Sequence, residues 1–233
     1  MLKTVLITGG NKGIGLETTR LFQQRGYKVF VVARDFSEGA LQPADTIIKK
    51  CFDLTDIARI PQLVSQLGHI DALINNAGVM HSIPCDNYPQ EKIDQMIKLN
   101  IEAPVALIRE VSKSMINNGN GRIVNNASIA GQIGHPDIWY GITKAGLINA
   151  TKSFARILGP KGIVINAVAP GPVETDMLKV IPEDRKKAIK NMVYTGRFAQ
   201  PEEVAKAIVW LATESPEYIN GTCLDINNGA FPR

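Results

Sequence analysis

Tyr140 and Lys144 are the residues whose types and spacing best suit acid–base chemistry in this sequence. They lie four positions apart at the start of a predicted helix over residues 139–158, so their side chains share one helix face. A lysine ammonium beside a phenol stabilises the phenolate, and we expect it to lower the tyrosine pKa from about 10. Such a phenol passes a proton to or from a substrate oxygen near neutral pH.

Ser128 follows a predicted strand, where its hydroxyl could hydrogen-bond the same oxygen. Each of these features also has a structural interpretation. The tyrosine and lysine could simply pack at a helix start, and a serine at a strand end is often a helix or turn cap. The three residues therefore predict a catalytic site only in combination with other motifs.

A glycine-rich turn, TGGNKGIG over residues 8–15, follows the first apolar run and precedes a predicted helix. Gly9, Gly13 and Gly15 would let the backbone turn sharply and approach a pyrophosphate. The helix N-terminus would add N–H donors and a positive dipole end. The strand–turn–helix context is the one that this motif requires, so we expect a dinucleotide site here.

Lys12, Arg34 and Asp35 indicate which nicotinamide cofactor this site would hold. An acid at the end of the second strand would hold the ribose hydroxyls of NAD, whereas an arginine accommodates the 2′-phosphate of NADP. Ala33 takes the terminal position, Arg34 follows it, and Lys12 could reach the same phosphate. Asp35 stands near the distance expected of the NAD-type acid. The two cations, Lys12 and Arg34, outnumber the single acid, Asp35, which stands two positions beyond the end of the strand, so NADP(H) is favoured. The alternative is that both cations are solvated surface charges.

Apolar runs of strand length alternate with helical patterns along the whole chain. The predicted strands cover residues 4–8, 28–33, 47–51, 72–75, 122–126, 163–169 and 222–226. The predicted helices cover residues 16–25, 57–67, 90–100, 104–117, 139–158 and 201–213. The strands are almost continuously apolar, which is typical of parallel strands covered on both faces. We therefore predict an α/β fold over residues 1–233: a single-domain, Rossmann-type, doubly wound parallel sheet of about seven strands with helices on both faces. The crossover at residues 35–45 is short and contains Gly39 and Pro43.

Composition excludes several classes of protein. The chain has 233 residues, of which 45% are apolar and 21% charged, as in ordinary globular proteins. A net charge of +4 without a concentrated basic patch argues against nucleic-acid binding. Three scattered cysteines without a CxxC, and three scattered histidines, argue against a disulfide framework or a metal site. No signal peptide or membrane-spanning run is seen, so we expect a cytoplasmic protein without a membrane partner.

Taken together and in order, these motifs resemble the short-chain dehydrogenase/reductase family. The resemblance covers the whole chain and rests on TGGNKGIG, Asp53-Leu54, NNAG at residues 75–78, Asn100, Ser128, Tyr140-x-x-x-Lys144 and PGPVET at residues 170–175. The joint pattern is specific, although each part is common. Two features depart from the family: only eleven residues separate Ser128 from Tyr140, and the segment after the second strand is abbreviated.

The resemblance implies a role for each matching residue. Tyr140 would be the general acid in reduction, Ser128 would hold the substrate oxygen, Lys144 would bind the nicotinamide ribose and tune Tyr140, and Asn100 would anchor a proton-relay water. Asp53 would meet the adenine, and residues 170–175 would wrap the nicotinamide amide. The implied cofactor-binding set is Gly9, Asn11, Lys12, Gly13, Ile14, Gly15, Arg34, Asp53, Leu54, Asn76, Ala77, Gly78, Tyr140, Lys144, Pro170, Gly171, Val173 and Thr175.

The substrate is less well indicated. Residues 195–229 look similar to bacterial 3-oxoacyl-acyl-carrier-protein reductases, which implies an NADPH-dependent reductase of 3-oxoacyl thioesters. Residues 175–195 would form a lid, and their basic run of Arg185, Lys186, Lys187 and Lys190 could attract an acyl carrier protein or a CoA phosphate. A solvated helix face is the alternative. Residues 117–120 lack the basic residue with which such reductases often dock their carrier, which argues against a carrier-bound substrate.

Two other functions stay open from the sequence. One is an NADP-dependent secondary-alcohol or sugar dehydrogenase that works mainly in the oxidative direction. The other is a non-catalytic nucleotide-binding protein on the same fold, which the Ser-Tyr-Lys-Asn set disfavours. The resemblance also implies a homotetramer, with a dimer as the alternative, assembled through the helices at 104–117 and 139–158 and the last strand.

Overall fold

A seven-stranded, fully parallel sheet organises the computed structural model, which describes residues 2–37, 40–42, 44–178 and 181–232. The strand order is β3-β2-β1-β4-β5-β6-β7. The strands are β1 Thr4–Thr8, β2 Lys28–Ala33, β3 Ile47–Cys51, β4 Ala72–Asn75, β5 Gly121–Asn126, β6 Ile163–Pro170 and β7 Cys223–Ile226. Every predicted strand is confirmed to within one residue at either end. Gly39 and Pro43 of the short crossover lie outside the described residues.

Seven α-helices are described: α1 Gly13–Gln24, α2 Ile60–Ser65, α3 Gln90–Ile97, α4 Ala103–Asn117, α5 Ile138–Leu158, α6 Glu183–Met192 and α7 Pro201–Thr213. A π-helical turn, Lys98–Glu102, joins α3 to α4. Helix α6 was not predicted from the sequence, because most of its residues are charged and none of them is buried. None of the described helices is both long enough and apolar enough to cross a membrane.

Alternate residues of each strand pack on opposite faces of the sheet. On one face, Leu6 belongs to a core that contains residues of α2 and α4, among them Leu107 and Met115. On the other face, Ile7 belongs to a core that contains Phe22 of α1 and Ile208 of α7. The prediction of helices on both faces is therefore confirmed, and burial on both faces explains why central strands such as β1, β2 and β6 are almost continuously apolar.

The sheet reverses its winding between β1 and β4, which are neighbours in the sheet. In doubly wound sheets the ligand crevice opens at the carboxyl ends of the strands beside this switch point. Thr8 fastens the two strand ends here, because its hydroxyl oxygen accepts hydrogen bonds from the backbone N–H groups of Asn76 (2.9 Å) and Ala77 (3.0 Å). The crevice therefore lies between the glycine-rich turn and the segment after β4.

Candidate active site

A cavity of about 790 Å³ opens at this edge of the sheet. Nearly every site residue predicted from the sequence lines it: Gly9, Asn11, Lys12, Gly13, Ile14, Arg34, Asp53, Leu54, Asn76, Ala77, Gly78, Ser128, Tyr140, Lys144, Pro170, Gly171, Val173 and Thr175. Gly15 and Asn100 do not reach the wall. The fold thus brings together, in one cavity, residues from both halves of the chain that the sequence motifs assigned to one site.

The glycine-rich turn is built so that helix α1 starts directly against it. Gly9 and Gly13 adopt φ values of +64° and +53°, which side chains other than glycine rarely allow. Gly15 lies behind the turn, and a Cβ on it would clash with the carbonyl oxygen of Gly9. Gly15 therefore supports the site through close packing of helix on turn, while the N-terminus of α1 faces the cavity.

Two cations, Lys12 and Arg34, and three acids, Asp35, Asp53 and Asp176, line the end of the cavity beside the glycine-rich turn. Arg34 is exposed on its wall, and Lys12 lies across from Asp176, with Nζ 3.7 Å from Oδ2. The carboxylate of Asp35, the candidate NAD-type acid, accepts hydrogen bonds from the Ser37 backbone N–H (2.8 Å) and hydroxyl (2.6 Å). The Ser37 hydrogen bonds lower the pKa of Asp35. This acid is thus engaged by donors within its own turn.

Tyr140 and Lys144 stand on the first turns of α5, deep in the cavity. Both are almost completely buried, and the Lys144 ammonium lies 5.6 Å from the centre of the Tyr140 ring. The ammonium donates a hydrogen bond to the backbone carbonyl oxygen of Asn126 at 2.7 Å. Ser128 lies just beyond β5, and its hydroxyl oxygen accepts a hydrogen bond from the Ala130 N–H at 3.1 Å. The three predicted catalytic side chains therefore meet at one place.

Burial, rather than the charge of Lys144, controls the proton on Tyr140. Desolvation raises the pKa of Tyr140 to about 12, against the opposing effect of a hydrogen bond with Ser128. Desolvation also lowers the pKa of Lys144 to about 8. The expectation that Lys144 lowers the tyrosine pKa is wrong for the structure as it stands, because both groups have lost their hydration.

Asn100 is placed by the π-helical turn, behind the cavity wall. Its side-chain N–H group donates to the Val79 carbonyl oxygen (2.9 Å) and to the Thr143 hydroxyl (3.1 Å), while its Oδ1 accepts from the Val79 N–H (2.9 Å). A Cβ on Gly78 would lie 3.3 Å from this Oδ1 and 3.5 Å from Nζ of Lys144. Because Gly78 has no side chain, a small space stays open next to both Oδ1 of Asn100 and Nζ of Lys144.

Asp137 is the site residue that the sequence analysis missed. It is fully buried at the N-cap of α5, and its carboxylate accepts hydrogen bonds from the Tyr140 N–H (3.1 Å) and the Ser82 N–H (2.8 Å). It also accepts from the Tyr88 hydroxyl at 3.0 Å. Asp137 thereby ties the loop after β4 to the helix turn that carries Tyr140. An acid just before a predicted helix was the signal available in the sequence.

The far end of the cavity is largely apolar. The ring of His135 lies 5.4 Å from that of Tyr140. Burial lowers the pKa of His135. Trp139 is not on the cavity wall and packs against the small cluster that contains Tyr140. The remaining wall is formed mainly by Met80, Ile129, Ile133, Met177, Leu178, Ile181, Ala188, Ile189 and Met192, together with Arg185.

Comparison with known proteins agrees with this geometry. A family profile described as enoyl-(acyl carrier protein) reductase matches residues 9–230. The 3-oxoacyl-[acyl-carrier-protein] reductase FabG of Rickettsia bellii is 35% identical, covering 97% of this chain and 96% of its own. The FabG of Thermotoga maritima is also 35% identical, over 97% of both chains.

Solved structures give the same relationship. The structure described as ElxO with NADP bound is 32% identical, with a TM-score of 0.90 and full coverage of both chains. A putative gluconate 5-dehydrogenase from Beutenbergia cavernae shares the fold, with a TM-score of 0.92 at 24% identity, over 98% of this chain and 96% of its own. The chain belongs to the short-chain dehydrogenase/reductase family of oxidoreductases.

Proposed function

We propose that this protein is an NADPH-dependent carbonyl reductase that acts on a 3-oxoacyl thioester, with residues 1–233 as one dinucleotide-binding and catalytic domain. The names of the FabG relatives support the substrate class. The observation that carries the reaction type is the buried phenol of Tyr140, which lies beside Ser128 and Lys144 and whose pKa burial raises to about 12. Such a phenol is protonated at neutral pH, and the carbonyl oxygen would become basic enough to take up this proton as the hydride arrives.

The cofactor cradle fits NADP(H) on features of this chain. A Cβ at Gly9 or Gly13 would strain the backbone, because both have positive φ values. A Cβ at Gly78 would fill space beside Asn100 and Lys144. Lys12 and Arg34 would hold the 2′-phosphate, Asp53 the adenine, and residues 170–175 the nicotinamide amide. When bound, NADPH supplies the hydride that reaches the carbonyl carbon.

Tyr140 would donate its proton to the carbonyl oxygen as the hydride arrives, while the Ser128 hydroxyl hydrogen-bonds the same oxygen. Lys144 would hold the nicotinamide ribose. Its ammonium would also stabilise the phenolate left on Tyr140, although desolvation offsets this in the unliganded protein. Asn100, which lies behind the cavity wall, would anchor a water molecule. This water would take part in the relay that returns a proton to Tyr140. The names of the FabG relatives favour reduction over the alternative alcohol or sugar dehydrogenase, whereas the acid–base group itself would serve both directions.

A substrate panel tests this proposal. Acetoacetyl thioesters of N-acetylcysteamine, phosphopantetheine and acyl carrier protein would be mixed with NADPH or NADH, and secondary alcohols and sugars with NADP⁺, while the nicotinamide absorbance is followed. We expect NADPH oxidation with at least one thioester. Oxidation of alcohols without reduction of any thioester would favour the alternative, and Tyr140→Phe controls for non-enzymatic turnover.

We also propose a homotetramer assembled through α4, α5 and β7. Two large apolar side chains on α5, Ile142 and Ile157, are each more than half exposed in the single chain, at 51% and 57%. A neighbouring subunit would remove this apolar surface from water. Light scattering at micromolar concentration is expected to give four chains per particle, and a monomer would contradict the proposal.

A further inference from the structure

The four basic side chains of residues 185–190 lie on helix α6 and have different surroundings. Lys186 pairs with Glu183 at 2.6 Å, and Lys190 lies over the Phe198 ring, 4.8 Å from its centre. Lys187 is exposed to water. Arg185 alone of these cations lines the cavity. The run is therefore not a uniform basic surface.

Arg185 shares the inner face of α6 with apolar residues. Ala188, Ile189 and Met192 follow it at spacings of three, four and seven, which places all four side chains on one helix face. Arg185 is also close enough to lower the proton affinity of His135, whose pKa is depressed mainly by burial and further by this positive charge. His135 lies beside the Tyr140 ring, so Arg185 is at the substrate end of the cavity.

Within the described part of the chain, Arg185 forms no ion pair or hydrogen bond. The acids on the cavity wall have other partners. Asp35 is bound by Ser37, Asp53 by the N–H and hydroxyl of Thr55, and Asp176 lies opposite Lys12. Arg185 is partly buried beside methionines and isoleucines of the cavity wall, and an anionic ligand there would accept charge-assisted hydrogen bonds from its guanidinium.

We infer that Arg185 is a specificity-determining residue that binds an anionic group of the substrate, while the apolar wall around it holds the acyl chain. The inference rests on the proposed carbonyl reductase and narrows its substrate class to 3-oxo compounds that carry a phosphate or a carboxylate. The phosphate would belong to a pantetheine arm, and the carboxylate to a free 3-oxo acid. A neutral thioester would lack the group that Arg185 recognises.

The test compares Arg185→Gln with Lys187→Gln, which removes the same charge from the water-exposed side of the same helix. The anionic substrates are acetoacetyl-phosphopantetheine and acetoacetate; the neutral one is acetoacetyl-N-acetylcysteamine. We expect Arg185→Gln to raise KM for at least one anionic substrate by roughly ten- to a hundredfold and to leave the neutral one within about twofold. Lys187→Gln should leave all three within about twofold. The anion that responds identifies the source of the charge.

A binding measurement without turnover tests the role of Arg185 independently of the proposed reductase activity. The 3-hydroxybutyryl counterparts of the same three compounds would be titrated calorimetrically into each protein with NADPH present, a pair that cannot react. Loss of anion affinity in Arg185→Gln alone supports the inference even if no thioester is reduced. Equal loss for neutral and anionic compounds, equal loss in Lys187→Gln, no loss at all, or weakened NADPH binding in Arg185→Gln would each overturn it.

Discussion

Replacing Lys144 with methionine should make the stability of the cofactor-free protein less dependent on pH. Lys144 is an almost fully buried ammonium that donates to the Asn126 carbonyl oxygen, and burial lowers its pKa from 10.5 to about 8. At about 1.4 kcal/mol per pKa unit, this drop corresponds to roughly 3 kcal/mol against the protonated folded state at pH 7. Methionine has a similar length and carries no charge.

The direction of the effect follows from proton binding. The folded pKa of Lys144 lies below the unfolded one, so between pH 8 and 10.5 the unfolded chain binds more protons, and the free energy of unfolding rises with pH. From pH 7 to pH 10 the unmodified protein should gain on the order of 2–3 kcal/mol of stability relative to Lys144→Met. Below about pH 8 the full penalty is present, and no further change is expected from this residue.

Urea unfolding at pH 7 and pH 10, at one protein concentration and without cofactor, measures this difference. Lys187→Met is the matched control, because the exposed Lys187 ammonium stays in water on folding. The control should parallel the unmodified protein at both pH values. A stability difference between the unmodified protein and Lys144→Met that stays constant within about 0.5 kcal/mol would refute the reasoning, since the burial of Lys144 would then carry no penalty.

Three further substitutions test other parts of the site. Tyr140→Phe should lower turnover at saturating NADPH by roughly 10²–10⁴-fold with NADPH affinity retained, and activity within a few-fold of the starting protein would remove its catalytic role. Arg34→Asp should weaken NADPH by roughly ten- to a hundredfold in fluorescence titration and NADH far less; equal losses would argue against a 2′-phosphate contact. Asp137→Ala leaves the Ser82 and Tyr140 N–H groups and the Tyr88 hydroxyl without their acceptor, at about 1–3 kcal/mol each, so the melting temperature should fall by on the order of 10 °C. A fall of less than about 2 °C would show that these groups find other partners.

The sequence by itself determined the sheet, the glycine-rich turn and the pairing of Tyr140 with Lys144. These are local or repetitive signals. A parallel strand buried on both faces must be apolar throughout, a tight turn requires glycine at left-handed positions, and two residues four apart share a helix face whatever surrounds them. Through the family resemblance, Asn100, Ser128 and the PGPVET segment could also be assigned to the same site.

Tertiary structure decided what depends on neighbours distant along the chain. Asp137 receives its hydrogen bonds from residues 49 to 56 positions away as well as from its own helix, so its role was not visible as a local pattern. The direction of the Tyr140 pKa followed from burial, which outweighed the opposing hydrogen bond with Ser128. Helix α6 is mostly charged, and only the packed molecule showed that Arg185 lines the cavity while Lys187 is exposed to water. Burial and long-range contacts are set by the complete fold, because they depend on which surfaces lose water when distant segments meet.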